Sequence, residues 1–343
     1  LHKEYRRQRQ MCIRDRLDLA TVLPPGAASA YLPEVWQAGR QGDLQFAIPW
    51  YLTTRVTLAN RSLLQQAGYP APPRRWDQVP AYAEAMKRRT GRYALFVTVV
   101  PDDSAELLET LVQMEVLLLD GNHRAAFNSP AGRRAFAFWT DLYRRGLLPP
   151  EVVSQGYRRA IELYQAGDLA QVASGPDFLR NLQTNAPGIA ALTAPFPPLV
   201  GPGGQTNVAV MNLVVPRQST MAPEAISFAL FLTDAANQLA FAREARVLPS
   251  SRAALKGLEQ DLALAVVDPA AERQQALVRQ ARALSVRNLD QARVLVPATP
   301  GIKRLQAILY TQLQRAMLGQ IGSDEALAEA ERQWNRYAEA RWP

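Results

Sequence analysis

Trp50 and Tyr51 stand side by side behind Pro49, at the end of a short alternating run, Leu44-Gln45-Phe46-Ala47-Ile48-Pro49. Aromatic rings at an interrupted strand can stack on the apolar face of a sugar ring, while amide, carboxylate and guanidinium groups take its hydroxyls. Each hydroxyl buried on binding needs such a partner. Because the two rings are neighbours, at least one is expected to pack in the core. Of the paired carboxylates, Asp102-Asp103 follow an apolar run and could face a cleft. Asp324-Glu325 follow Ser323, where acidic side chains complement a helix N-terminus.

Constellations for covalent or acid–base catalysis are nearly absent. Beyond the first sixteen residues the one histidine is His123, beside a turn, and it is expected to be solvated. There is no Gly-x-Ser-x-Gly elbow, no Gly-x-x-x-x-Gly-Lys-Ser/Thr loop and no Gly-x-Gly-x-x-Gly. Pro202-Gly203-Gly204-Gln205 lacks the strand-before, helix-after context of a phosphate cradle. The single cysteine is Cys12, so the rest of the chain offers no thiol nucleophile, thiolate metal site or disulfide. No cofactor and no metal are expected.

The elements that must position these residues follow from pattern. A strand is expected to end at Pro49, and the next to cover Arg55–Leu58. Asn60 can cap a helix that Gly68 closes. In Pro72-Pro73-Arg74-Arg75-Trp76-Asp77 the Trp76 ring is expected to pack and Asp77 to cap a helix over 78–89. Tyr93–Val100 is a nearly continuous apolar run suited to a strand covered on both faces. Helices are expected over 105–119, over 131–143 behind Ser129-Pro130, and over 157–166, with strands at 169–173 and 207–215. The C-terminal part reads mostly as helix: 258–266, 270–284, 300–318 and 324–340. Strands alternating with helices imply an α/β architecture with largely parallel sheets.

The chain has 343 residues and a formal charge of +8. Its opening, Leu1 to Arg16, holds six basic and two acidic residues without apolar periodicity, and resembles a translated adapter remnant more than native chain. A basic tail for nucleic acid or anionic lipid is the alternative. Without residues 1–16 the balance is 33 basic to 29 acidic (39 − 6 and 31 − 2), and the arginine pairs are scattered over helix faces. Nucleic-acid binding is therefore not expected. No run of eighteen apolar residues suggests a membrane span.

Several stretches in order resemble family 1 of the extracellular solute-binding proteins, the sugar receptors of ABC importers. They begin with Pro49-Trp50-Tyr51-Leu52-Thr53-Thr54-Arg55 through Asn60, Gly68, Pro70 and Trp76-Asp77. Phe127-Asn128-Ser129-Pro130, Phe138-Trp139, Gln165-Ala166-Gly167-Asp168-Leu169, Ser174-Gly175-Pro176, Leu248-Pro249-Ser250-Ser251 and Trp334-Asn335 follow. The resemblance implies a periplasmic-binding-protein-like fold of type II: two α/β lobes with hinge crossings, closing on solute held in a cleft. It implies crossings near 49–52, 207–212 and 248–250. Lobe 1 would take 17–49 and 208–247, lobe 2 would take 50–207 and 248–343, and 1–16 would stand outside the fold. Family members carry more chain before this hinge, so the first lobe is expected to be incomplete. The Gly-Pro motif, commonly followed by Trp, is here followed by Asp177-Phe178.

The expected ligand-binding set is Trp50, Tyr51 and Phe178 for stacking, with Arg55, Asp102, Asp177, Asn207 and Asn212 for polar contacts. The expected partners are a mono- or oligosaccharide and the transmembrane subunits of an ABC permease, with the protein a periplasmic or extracellular monomer, lipid-anchored or free. A receptor for a polyol phosphate or polyamine is the alternative within the fold. A glycan-processing enzyme using Asp102 and Asp177 would need carboxyls about 5 to 9.5 Å apart. A helical scaffold would need Tyr93–Val100 and 207–215 to lie outside sheets.

Overall fold

A computed structural model describes residues 15–264, 272–296 and 299–342. The strands are β1 (Arg40–Gln41), β2 (Leu44–Gln45), β3 (Ile48–Thr54), β4 (Val56–Asn60), β5 (Gln171–Ser174), β6 (Thr193–Phe196), β7 (Thr206–Leu213), β8 (Leu248–Pro249) and β9 (Ala292–Arg293). The helices up to the second long strand are α1 (Pro33–Gln37), α2 (Arg61–Ala67), α3 (Val79–Thr90), α4 (Glu106–Gln113), α5 (Pro130–Arg144), α6 (Tyr157–Gln165), α7 (Phe178–Asn185) and α8 (Pro187–Leu192). After β7 come α9 (Ala222–Thr233), α10 (Ala235–Ala245), α11 (Arg252–Leu264), α12 (Glu272–Arg287), α13 (Ile302–Met317) and α14 (Ser323–Arg341).

The chain forms two compact units. Unit 1 takes in the described residues of 1–54, 207–272 and 285–300, and unit 2 those of 55–206, 273–284 and 301–343. This partition differs from the expected one at 50–54 and 207, which fall in unit 1, and again after residue 247. The Leu248-Pro249-Ser250 stretch lies inside unit 1 because β8 pairs with β3, Leu52 opposite Leu248 and Tyr51 opposite Pro249. The chain passes between units at 54/55, 206/207, 272/273, 284/285 and 300/301.

Unit 1 is built on a sheet in the order β8-β3-β7-β9, with apolar residues on both faces. Leu52, Val208 and Leu248 join Val35, Leu258 and Leu289 in one cluster, while Ile48 and Val215 join Leu19, Tyr31 and Ile226 in another. Asp15 and Arg16 belong with this unit, which corrects the expectation for the end of the tail. Arg16 bridges Pro216, and the Arg217 N–H donates to Asp15 O at 2.8 Å. Residues 1–14 lie outside the described part.

Unit 2 is built on a sheet in the order β5-β4-β6, whose central strand is buried along its whole length. Asn60 ends β4 and caps α2, its Oδ1 accepting from the N–H groups of Ser62 (3.0 Å) and Leu63 (3.2 Å), and Gly68 closes the helix at φ 82°. Trp76 packs edge-on against the fully buried Trp139, and its indole N–H donates to Gln113 Oε1 at 2.8 Å. Asp77 pairs with Arg75 instead of capping α3. Trp139 and Trp334 anchor the packing of α5, α13 and α14.

Three expectations about strands and helices are corrected. Every strand pair with a described register is antiparallel. The strand–helix alternation suggested largely parallel sheets, the pairing that single crossovers give. Here five helices lie between β4 and β5, so the return direction is free. Tyr93–Val100 is buried but is no strand: Tyr93 alone bridges Leu169, while the Val99 N–H goes to Val152 O and the Thr98 hydroxyl to Gln155 O. A buried apolar run does not distinguish a strand from a loop whose backbone finds other partners. The helix expected over 105–119 stops at Gln113, where Glu115 takes φ 66° and the Val116 N–H returns to Leu111 O.

Candidate functional site

β3 continues through Pro49 where the sequence suggested it would end, and it does so with a bulge. Ile48 opposes Leu213 and Pro49 opposes Asn212, but Tyr51 already opposes Met211, which leaves Trp50 as the extra residue. A bulge reverses the in–out alternation of a strand beyond it and re-aims the side chain it inserts. Here that reversal is visible in the core. Ile48 and Leu52, four apart, would share a face of a regular strand, yet they belong to the two different apolar clusters.

At the bulge three half-buried rings meet. Trp50 stacks on Phe241 of α10, with centroids 4.9 Å apart and planes at 23°. Tyr51 meets Trp50 edge-on at 5.0 Å and Phe241 at 5.7 Å. Neither Trp50 nor Tyr51 is absorbed into the core, against the expectation that one would be, because the bulge turns both toward Phe241. Phe241 was invisible to sequence reasoning, since an apolar residue at helical spacing reads as ordinary packing.

The other unit 1 candidates divide. Asn207 is a structural link, its Oδ1 accepting the Leu295 N–H at 3.1 Å. Asn212, across from Pro49, buries an Oδ1 that has no hydrogen-bond partner among the described residues. A buried acceptor left open costs about 1–3 kcal/mol, so it is suited to take a hydroxyl or a water.

Unit 2 holds a polar set around Arg55. Its guanidinium lies 3.6 Å from Glu106 Oε1 and 3.5 Å from Glu109 Oε2, and 5.9 Å from the ring centre of Tyr157. Both glutamates sit in the first turn of α4, where the helix dipole favours negative charge. Burial nonetheless pushes the Glu106 carboxyl up to about 7; Arg55 opposes this, and Glu109 and Asp103 add to it. Glu109 is raised too, by burial, with Arg55 again opposing. Burial works against the Arg55 charge, and the two carboxylates more than offset it.

The surroundings of this set are fixed by hydrogen bonds. The Tyr310 hydroxyl donates to Ser104 O at 2.7 Å, and the Gln306 amide donates to Pro101 O and Ser104 O. The Tyr157 hydroxyl donates to Ala173 O at 3.0 Å. Asp103 caps α6, its Oδ2 accepting the Tyr157 N–H at 2.8 Å, and it lies so close to Gly156 that a Cβ there would sit 2.2 Å from Oδ1. Asp102, the residue singled out from sequence, is exposed on the adjoining turn, and its neighbour Asp103 is the one built into the structure.

Asp177 and Phe178 fall at the start of α7. Asp177 is exposed in helical backbone geometry (φ −67°, ψ −23°), while the half-buried Phe178 leans toward the fully buried Tyr164 with centroids 6.4 Å apart. Phe178 thus packs beside the unit 2 core. His123 is half-buried, not solvated, and stacks on Trp342 at 4.5 Å. Among the described residues no group of three or more His, Cys, Asp or Glu is placed to hold a metal ion.

Two α/β units joined by repeated passages of the chain, with an aromatic cluster at a strand bulge and a buried polar set, define a receptor of the periplasmic-binding type. Residues 15–265 match the family described as bacterial extracellular solute-binding protein, and the chain belongs to that family. Its members bind solutes and are not enzymes. A crystal structure from Synechococcus sp. MITs9220, of a protein provisionally named an oligosaccharide periplasmic-binding protein, is 64% identical, with a TM-score of 0.92 over 96% of this chain and 82% of that one. The same protein has also been solved in complex with zinc. The sugar-binding protein MalE of Xanthomonas citri shares the fold at 22% identity and a TM-score of 0.76, covering 96% of this chain and 80% of that one. A probable ABC transporter-binding protein of Deinococcus radiodurans is 23% identical over 250 residues, 68% of this chain and 58% of that relative's length.

Proposed function

We propose that this chain is the solute-binding component of an ABC importer and that its solute is a carbohydrate, contacted in unit 1 by Trp50, Tyr51 and Phe241. The observation that carries the reading is the Trp50 bulge. A tryptophan is inserted into an inner strand of a sheet, left half-buried, and stacked on a second ring instead of entering the core. Such a platform fits the flat apolar face of a pyranose. The name of the 64% identical relative supports an oligosaccharide.

In unit 2, Arg55 supplies donors and Glu106 and Glu109 supply acceptors for hydroxyl groups. With the Glu106 carboxyl raised to about 7, the set carries little net charge, which favours a neutral solute, or an amine that draws the Glu106 proton off, over a polyol phosphate. An amine-bearing solute is therefore the second reading. In this scheme the loaded protein delivers solute to permease subunits outside the cytoplasm. Thermal-shift screening against malto-oligosaccharides, glucosamine, spermidine and glycerol 3-phosphate tests the assignment. Stabilisation by glycerol 3-phosphate with none by the sugars would overturn it.

A further inference from the structure

The bulge that presents Trp50 is held from one side by a buried relay of polar groups. The Ser250 hydroxyl, which follows β8, lies 2.7 Å from Pro49 O and 3.1 Å from Trp50 O, and donates its proton to these carbonyls. Gln238 Nε2 donates to Ser250 Oγ at 2.9 Å, and Gln238 Oε1 accepts the Ser251 N–H at 2.9 Å. Gln238 is 1% exposed and Ser250 0%. Both ends of the amide and both roles of the hydroxyl are thus used, which makes the geometry single-valued.

The placement of Gln238 matters as much as its bonds. It precedes Phe241 by three residues on α10, so the two project from one helix face. One face of α10 therefore supplies the ring stacked on Trp50 and the amide that orients the Ser250 hydroxyl toward the carbonyls of Pro49 and Trp50. A bulge can migrate or be lost by a one-residue slip, and each slip turns the following side chains to the other face.

We infer that Gln238 and Ser250 are positioning residues for the solute platform: they lock the bulge register and so fix the direction of the Trp50 ring before solute arrives. The inference rests on Trp50 being that platform. A ring ordered in advance spares binding the cost of immobilising it. The residues touch no solute themselves, and their effect is transmitted through the backbone of Pro49 and Trp50.

Incorporation of 5-fluorotryptophan gives a fluorine signal for each of the six tryptophans, with Trp50 identified by Trp50→Phe. In Ser250→Ala and Gln238→Met the Trp50 resonance should shift and broaden while those of Trp76, Trp139 and Trp334 hold. Ser250→Thr, which keeps the hydroxyl, should restore the wild-type signal. Affinity for maltotetraose should fall about fivefold in the first two variants, the loss of one hydrogen bond's worth of ordering. An unchanged Trp50 resonance in both variants would overturn the inference, even with a lowered melting temperature. If Trp50→Ala binds maltotetraose as wild type does, the platform reading itself fails. If Trp50→Ala loses binding while Ser250→Ala and Gln238→Met bind within twofold of wild type, the positioning role alone fails.

Discussion

At the scale of single residues, Trp50 and Glu106 carry opposite expectations. Trp50 is half-buried in its stack on Phe241, so Trp50→Ala should cost the fold about 2–3 kcal/mol. It should cost carbohydrate binding tenfold or more, read by calorimetry at constant temperature. Glu106 is 8% exposed and its carboxyl is raised from 4.5 to about 7. Between those values the folded protein keeps a proton that the unfolded chain releases. Stability therefore falls as pH rises from about 4.5 to about 7, by up to about 1.4 kcal/mol per pH unit, and levels off above. Glu106→Gln should remove this component, so denaturation midpoints of wild type and variant followed from pH 4.5 to 8 should converge at the acid end and separate toward neutrality. Parallel curves across that range would contradict the assignment.

At the scale of elements, the caps are local and the sheets are not. Asn60→Ala removes both acceptor bonds at the start of α2 and should cost about 1 kcal/mol in urea unfolding. Gly132→Ala in the first turn of α5 would place a Cβ 1.8 Å from Phe127 O, a backbone atom that cannot swing away. The helix must shift, and a loss of about 2 kcal/mol or more is expected from the same measurement. These features were legible because the side chain that makes the cap is the residue that signals it: Asn60, Gly68, Ser129 and Pro130 stand where pattern placed them. The bulge was not legible. Pro49 reads as a strand end by its missing N–H, and only the pairing with β7 and β8 shows that the strand continues with one residue inserted. For the same reason Trp50 and Tyr51 could be picked out by type, whereas Phe241, Gln238 and Ser250 reach them only through tertiary packing. Around Arg55, nothing local showed that the glutamates of α4 would fold against it.

At the scale of the whole molecule, the α/β class and the family were readable from the order of weak motifs, since each motif marks a turn or cap that the fold needs in that place. Sheet direction was not, because antiparallel returns separated by several helices leave the same strand–helix alternation as parallel crossovers. The partition differs at 50–54 because β3 runs on past Pro49, and after residue 247 because two-residue β8 and β9 carry too little pattern to announce which sheet they join. Any solute that binds the folded protein and not the unfolded chain must raise its stability, by about 2.7 kcal/mol at 100 times the dissociation constant. The most direct measurement is therefore a paired thermal unfolding series, wild type and Trp50→Ala, each titrated with malto-oligosaccharides and with spermidine. The carbohydrate account predicts a concentration-dependent rise in Tm with an oligosaccharide in the wild type and its loss in Trp50→Ala. A rise with spermidine and none with any sugar, or an oligosaccharide response that survives Trp50→Ala unchanged, would contradict it.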